Sequence, residues 1–203
     1  FDDLRLGHHL DFNGAIADAY DALMSARAVK TSPEIALLKR ATAINEQAIT
    51  RTIDQWERGM TWREFNHAYH MNATALGGFV RDPGGMVWGH PRGEDPAIVL
   101  QSGFQDHVME PGTHVMFDCH GTLDLYCWDG GKTWIIDGER KGRADQLFTA
   151  TANAVESILT AMTPGVRISE LQAIGREAYR RSGIRDADQA IIFFHGLGLS
   201  HMD

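Results

Sequence analysis

The chain has 203 residues, of which 43% are hydrophobic, and a formal net charge of −8. That length suits one domain of ordinary size with a well-buried core. The composition is too apolar for a disordered chain, the charge argues against non-specific nucleic-acid binding, and no run approaches the ~18–20 apolar residues of a membrane span. Two cysteines exclude a disulfide framework and suit a reducing, cytoplasmic compartment. No secretory or transit pattern opens the sequence.

Residues 1–13 show no clear period, and His8 and His9 read as surface. Ile16, Ala19, Leu23 and Met24 predict a helix over 14–27. Thr31-Ser32-Pro33-Glu34 is a helix start, with Ser32 as cap, Pro33 in the first turn and Glu34 at the positive end of the dipole. This helix is expected to run to about Arg58 and to bury Ile35, Leu38, Ala41, Ile44, Ala48, Ile49 and Ile53, with Gly59 stopping it. Thr61-Trp62-Arg63-Glu64 is a capping box that opens a second helix to about Leu76, before Gly77-Gly78.

Residues 79–112 read as strands and turns. Val115 to Asp118 reads as strand, and Leu123 to Ile136 as more strand around Trp128, Trp134 and Ile135. A third long helix spans Arg143 to Met162, with Leu147, Ala150, Ala154, Ile158 and Leu159 on one side. A fourth runs from about Ser169 to Ser182. Ala190 to Phe194 then reads as a strand that delivers His195. Residues 41–76 and 150–183 share a pattern: Ala-Thr-Ala, long helix, glycine, second helix, glycine. That weak repeat points to two helix-helix-strand units.

Asp118 stands in an otherwise apolar strand, and Asp129 follows eleven residues later in another. A carboxylate there costs several kcal/mol unless it is paired or binds a metal. Alternation puts His120 on the face of Asp118 and turns Cys119 away. His195 meets Gly196 and Gly198, which permit close backbone approach to a ligand, and His201 returns six residues later. Two carboxylates and nearby imidazoles suit a transition metal or a magnesium-like ion.

Asp118, Asp129, Lys132-Thr133 and His195-Gly-Leu-Gly together resemble the pita-bread metalloenzyme superfamily of methionine aminopeptidase, prolidase, aminopeptidase P and creatinase. Val29-Lys30-Thr31-Ser32-Pro33-Glu34-Ile35 resembles the start of the catalytic domain in its prolidase and creatinase branch. The resemblance implies an α/β fold with pseudo-twofold repeats around a curved antiparallel sheet. It implies a catalytic domain over residues 28–203, incomplete at its C-terminal end, with residues 1–27 as the tail of an N-terminal domain. Asp118, Asp129 and His195 would bind metal, joined by two glutamates beyond Asp203 that complete the family's site. Two ions, among Mn, Fe, Co and Zn, would sit ~3.5–4 Å apart, lower the pKa of a shared water and polarise a carbonyl. The implied substrate is a small molecule or short peptide, and the implied assembly is a homodimer without membrane or nucleic acid.

The sequence departs from the family pattern in four places. His120 replaces a usual glycine, and Lys132 a usual arginine. His201 lies six rather than seven residues after His195. Leu100 and Gln101 occupy the zone where the peptidases carry a histidine, leaving His107 and His90 as the nearest candidates. His201, His120 and His107 are therefore the expected catalytic side chains. The leading expectation is a metal-dependent hydrolase resembling Xaa-Pro peptidases. One alternative is a lyase, or an amide or amidine hydrolase, of a small non-peptide substrate, similar to the dimethylsulfoniopropionate-lyase or creatinase branches. A second is a metal-free binding module.

Overall fold

A computed structural model of the chain describes residues 18–80, 86–90, 105–200 and 203. Helices α1 (Tyr20–Ala28), α2 (Ser32–Asp54) and α3 (Trp62–Ala75) precede strands β1 (Phe79–Val80), β2 (Met86–His90), β3 (His114–Leu123), β4 (Tyr126–Gly130) and β5 (Thr133–Ile135). Helices α4 (Gly142–Ala161) and α5 (Ile168–Arg181) follow, then a short 3-10 turn, Ala187–Gln189. The start of the helix expected over 14–27, and His8 and His9, lie outside the described residues. No helix among the described residues is long and apolar enough to cross a membrane.

Thr31, not Ser32, caps α2. The Glu34 carboxylate accepts from the Thr31 amide at 2.7 Å and from its hydroxyl at 2.6 Å. Glutamate reaches back three residues, and that spacing selects Thr31. The helix ends at Asp54, short of Arg58, where the Trp56 amide leaves the helical pattern and bonds the Ile53 carbonyl three residues back at 3.1 Å. Thr61 and Glu64 form the expected capping box on α3.

The helices pack in two pairs, α2 with α3 and α4 with α5. In the second pair the buried stripe is Ala150, Ala154 and Ile158 against Leu171, Gly175 and Ala178. Gly175 lets the helices approach closely: a Cβ would sit 2.8 Å from Ile158 Cδ1 and 2.6 Å from Ile192 Cδ1, so those side chains would have to shift. Leu147 and Leu159, expected on the buried side, are exposed. Ile35, expected in the core, is exposed as well, since it lies in the first turn of α2, ahead of the sheet it covers.

β3 is the hub of the sheet, and every other strand pairs antiparallel with it. Its side chains alternate as expected: Val115, Phe117 and Cys119 are buried, while Asp118 and His120 are partly exposed. The core joins Ala41, Ile44, Ala48 and Ile49 of α2 with Phe65 and Tyr69 of α3 beneath β3. Phe65 stacks on Trp134 with ring centroids 5.8 Å apart, and Trp128 is fully buried. Cys119 and Cys127 are both buried and neither forms a disulfide.

The expected strand from Ala190 to Phe194 does not form. The segment pairs with no strand among the described residues, and Ile191 and Phe193 are 88% and 69% exposed. Its apolar run has strand propensity, but a ladder needs a partner. A side chain anchors it instead: Gln172 Nε2 donates to the Ile192 carbonyl at 2.7 Å. The repeat therefore holds for the two helix pairs and fails at the strand after the second.

Candidate metal centre

β3 sets the geometry of the site. Its pleat turns Asp118 and His120 away from the face that buries Phe117 and Cys119. The antiparallel ladder with β4 puts Asp129 directly opposite His120. The ladder with β5 keeps the same register, with Met116 opposite Thr133, so Gly131 stands opposite Asp118. A side chain is excluded there, because a Cβ on Gly131 would overlap the Phe117 carbonyl. The Phe117 amide meanwhile donates to the Lys132 carbonyl at 2.8 Å. Asp118 and Asp129 are thus diagonal neighbours on one face, a relation that spans roughly 7–8 Å in an antiparallel pair. Burial first, and the charge of Asp129 second, push the Asp118 carboxyl above its ordinary range, with His120 offsetting part of the shift. The cleft therefore disfavours a second negative charge unless a cation joins it.

His195 arrives on the loop after α5. Its Nε2 lies 3.3 Å from Asp129 Oδ2, with side chains 24% and 20% exposed. Its Nδ1 lies 2.8 Å from the Gly196 carbonyl oxygen. A carbonyl only accepts, so Nδ1 carries the proton, and in the neutral ring Nε2 presents its lone pair to a carboxylate. Two acceptors face each other, an arrangement that calls for a cation between them or a proton on the ring. A histidine whose other nitrogen is fixed by a carbonyl is the usual form of a metal ligand. The loop is tied to β4, since the Gly198 carbonyl accepts from the Cys127 amide at 2.7 Å. The Phe193 ring stacks beside the imidazole with centroids 5.8 Å apart.

Behind the strands runs a buried polar relay. Trp128 Nε1 donates to the Tyr69 hydroxyl at 3.2 Å, and Tyr69 donates to Asn45 Oδ1 at 2.8 Å. Asn45 Nδ2 donates to the Gly130 carbonyl at 3.0 Å, one residue past Asp129. Sequence reasoning does not find this relay, although a signal is present: Asn45 interrupts the apolar face formed by Ile44, Ala48 and Ile49.

A cavity of about 760 Å³ adjoins Asp118, walled by His114, Met116 and Thr133 of the sheet and by Leu147 and Phe148 of α4. Lys132 lines it too, while its Nζ lies 3.7 Å from Glu46 Oε1. The structure thus joins Asp129 to His195 and sets Asp118 and His120 on the same face. Among the described residues it gathers no cluster of three or more His, Cys, Asp or Glu side chains as a ready cage. His107 is exposed beside the start of α3, where its carbonyl accepts from the Trp62 amide at 3.1 Å. His201 lies outside the described residues.

A curved antiparallel sheet backed by paired helices, with carboxylates on adjacent strands and a histidine on a glycine loop, defines the pita-bread class. The chain belongs to metallopeptidase family M24, which matches residues 36–203. It is 25% identical over 182 residues to the Xaa-Pro dipeptidase of Pyrococcus furiosus, covering 88% of this chain and 48% of that protein. Among solved structures it resembles the X-Pro aminopeptidase of Thermotoga maritima, with a TM-score of 0.77, 25% identity, and coverage of 98% of this chain and 55% of that one. The dipeptidase PepE of Mycobacterium ulcerans gives a TM-score of 0.74 and 26% identity, covering 97% of this chain and 51% of that one. The chain thus spans about half the length of the relatives it matches.

Proposed function

We propose that the protein is a metal-dependent hydrolase of the Xaa-Pro peptidase type, with residues 28–203 in its catalytic domain. The observation that carries this reading is the contact of His195 Nε2 with Asp129 Oδ2 while Nδ1 is held by a carbonyl. Asp129, His195 and Asp118 would hold divalent transition metal, two ions when the family's remaining carboxylates join them. Such ions supply Lewis acidity toward a peptide carbonyl and lower the pKa of water. Asp118 lines the cavity, so metal held by it would stand beside a bound substrate. His120, across from Asp129, donates to the carboxylates of that face or to a substrate carbonyl. His201 and His107 are proposed to handle protons of the developing oxyanion and the leaving amine. The Met116, Leu147 and Phe148 walls suit the apolar part of a short peptide. The relatives named above are peptidases, which favours this reading over the lyase and the metal-free module. The family resemblance further suggests a homodimer in the cytoplasm.

Metal analysis after incubation with Mn²⁺ or Co²⁺ tests the reading. One or two ions per chain are expected, lost in Asp129→Asn, with turnover of Xaa-Pro dipeptides and none of sulfonium or betaine compounds. A protein that takes up no metal, or whose metal content survives both Asp129→Asn and His195→Ala, would overturn it.

A further inference from the structure

An ion pair with a buried carboxylate and a half-buried guanidinium lies away from the carboxylates of the cleft. Arg27, in the last turn of α1, pairs with the Asp203 carboxylate across 176 positions of sequence. The Asp203 side chain is 1% exposed. Its Oδ2 accepts from the Leu199 amide at 2.7 Å. Asp203 also closes over both glycines of the loop, since a Cβ on Gly196 or on Gly198 would collide with it. Burial alone would raise this carboxyl, yet Arg27 and the amides of Ser200 and Leu199 hold it below its ordinary range. The contacts run onward from Leu199 to its neighbour Gly198, whose carbonyl meets the Cys127 amide two residues before Asp129. Arg27 thus stands ahead of residue 36, where the family match begins, yet reaches the loop that carries His195 through Asp203.

We propose that Arg27 is a positioning residue for the metal centre: through Asp203 it latches the glycine loop so that His195 Nε2 stays turned to Asp129. The inference rests on the metal-centre reading above. A loop with glycines at 196 and 198 has many conformations, and fixing it costs entropy. The latch offsets that cost, because a carboxylate buried without its cation is strongly disfavoured. Partners that hydrogen-bond a metal ligand directly are worth roughly 10–100-fold in metal affinity, and Arg27, which acts through Asp203 and the loop, falls at the low end of that range.

Arg27→Met removes the cation and keeps much of the side chain's bulk, and Arg27→Lys restores the charge. Two readouts apply to the whole chain: hydrogen exchange of the peptide containing Leu199, and Co²⁺ affinity followed by its visible absorption. Arg27→Met is expected to speed Leu199 exchange about tenfold and to weaken Co²⁺ binding about tenfold or more, with Arg27→Lys recovering part of both. Wild-type exchange and affinity in a folded Arg27→Met protein would overturn the proposal. If Arg27→Met does not fold, Asp203→Asn decides by the same two readouts, since it loses the charge but retains an acceptor. Failure of the metal-centre reading looks different: wild type itself would then bind no Co²⁺, while the exchange result would still report on the latch.

Discussion

Asn45 offers a direct test of how the core supports the site. Asn45→Ala removes the acceptor of the Tyr69 hydroxyl and the donor to the Gly130 carbonyl. The Tyr69 hydroxyl lies where Tyr69 and Trp128 are fully buried, so water cannot readily replace its lost partner, whereas the Gly130 carbonyl is only part-buried. Leaving a buried polar group unsatisfied costs ~1–3 kcal/mol. The Tyr69 hydroxyl still accepts from Trp128 Nε1 but is left with an unpaired O–H, at about 1–2 kcal/mol, and the part-buried Gly130 carbonyl takes the low end of the range, about 1 kcal/mol. The two losses together come to roughly 2–3 kcal/mol. For a chain of this size that is a fall in Tm of about 4–12 °C. Urea unfolding followed by circular dichroism measures it, with Gln47→Ala, on the exposed face of the same helix, as the control. Because Gly130 follows Asp129, Co²⁺ affinity should fall in Asn45→Ala as well. A loss no larger than that of Gln47→Ala would refute the reasoning, and would mean that the relay is not under load.

Three further outcomes are expected. Glu34 is held down to about 2 by hydrogen bonds from the Thr31 side chain and backbone and from Tyr126. Its contribution is therefore complete above its ordinary value of 4.5 and is lost as pH falls toward about 2, so the urea midpoints of wild type and Glu34→Gln should converge across that window; a constant gap would count against it. Gly131→Ala must push the Phe117 carbonyl aside, which should cost on the order of 1–3 kcal/mol and displace Asp118, read as lower stability together with weaker metal binding. Chelation should lower the Tm of metal-loaded wild type and leave that of Asp129→Asn unchanged, since stabilisation by a ligand requires its site.

The parts legible in the sequence are those that local period decides. The alternation around Asp118 sets the polar face of β3, and the Thr61–Glu64 box starts α3 where expected. The parts that are not legible depend on partners distant in sequence. Ala190 to Phe194 has the composition of a strand, but composition does not supply a neighbour to bond with. Leu147 and Leu159 look like core positions on a helical wheel, yet α4 buries Ala150, Ala154 and Ile158 and α5 buries Leu171, Gly175 and Ala178. Of the candidate site, Asp118, Asp129, His120 and His195 stand out as polar residues in apolar surroundings. Asn45, Tyr69, Arg27 and Asp203 act across intervals that no local window spans.

All the strands take their alignment from β3, and this bears on how the chain avoids misfolding. A slip of one residue along β3 would turn Phe117 and Cys119 to the open face and drive Asp118 and His120 into the core. Burying those groups without partners costs several kcal/mol, far more than a shifted hairpin could recover from its hydrogen bonds. The side chains that equip the cleft thus also proofread the ladder during folding, and a neutral replacement at Asp118 would remove a safeguard along with a candidate ligand.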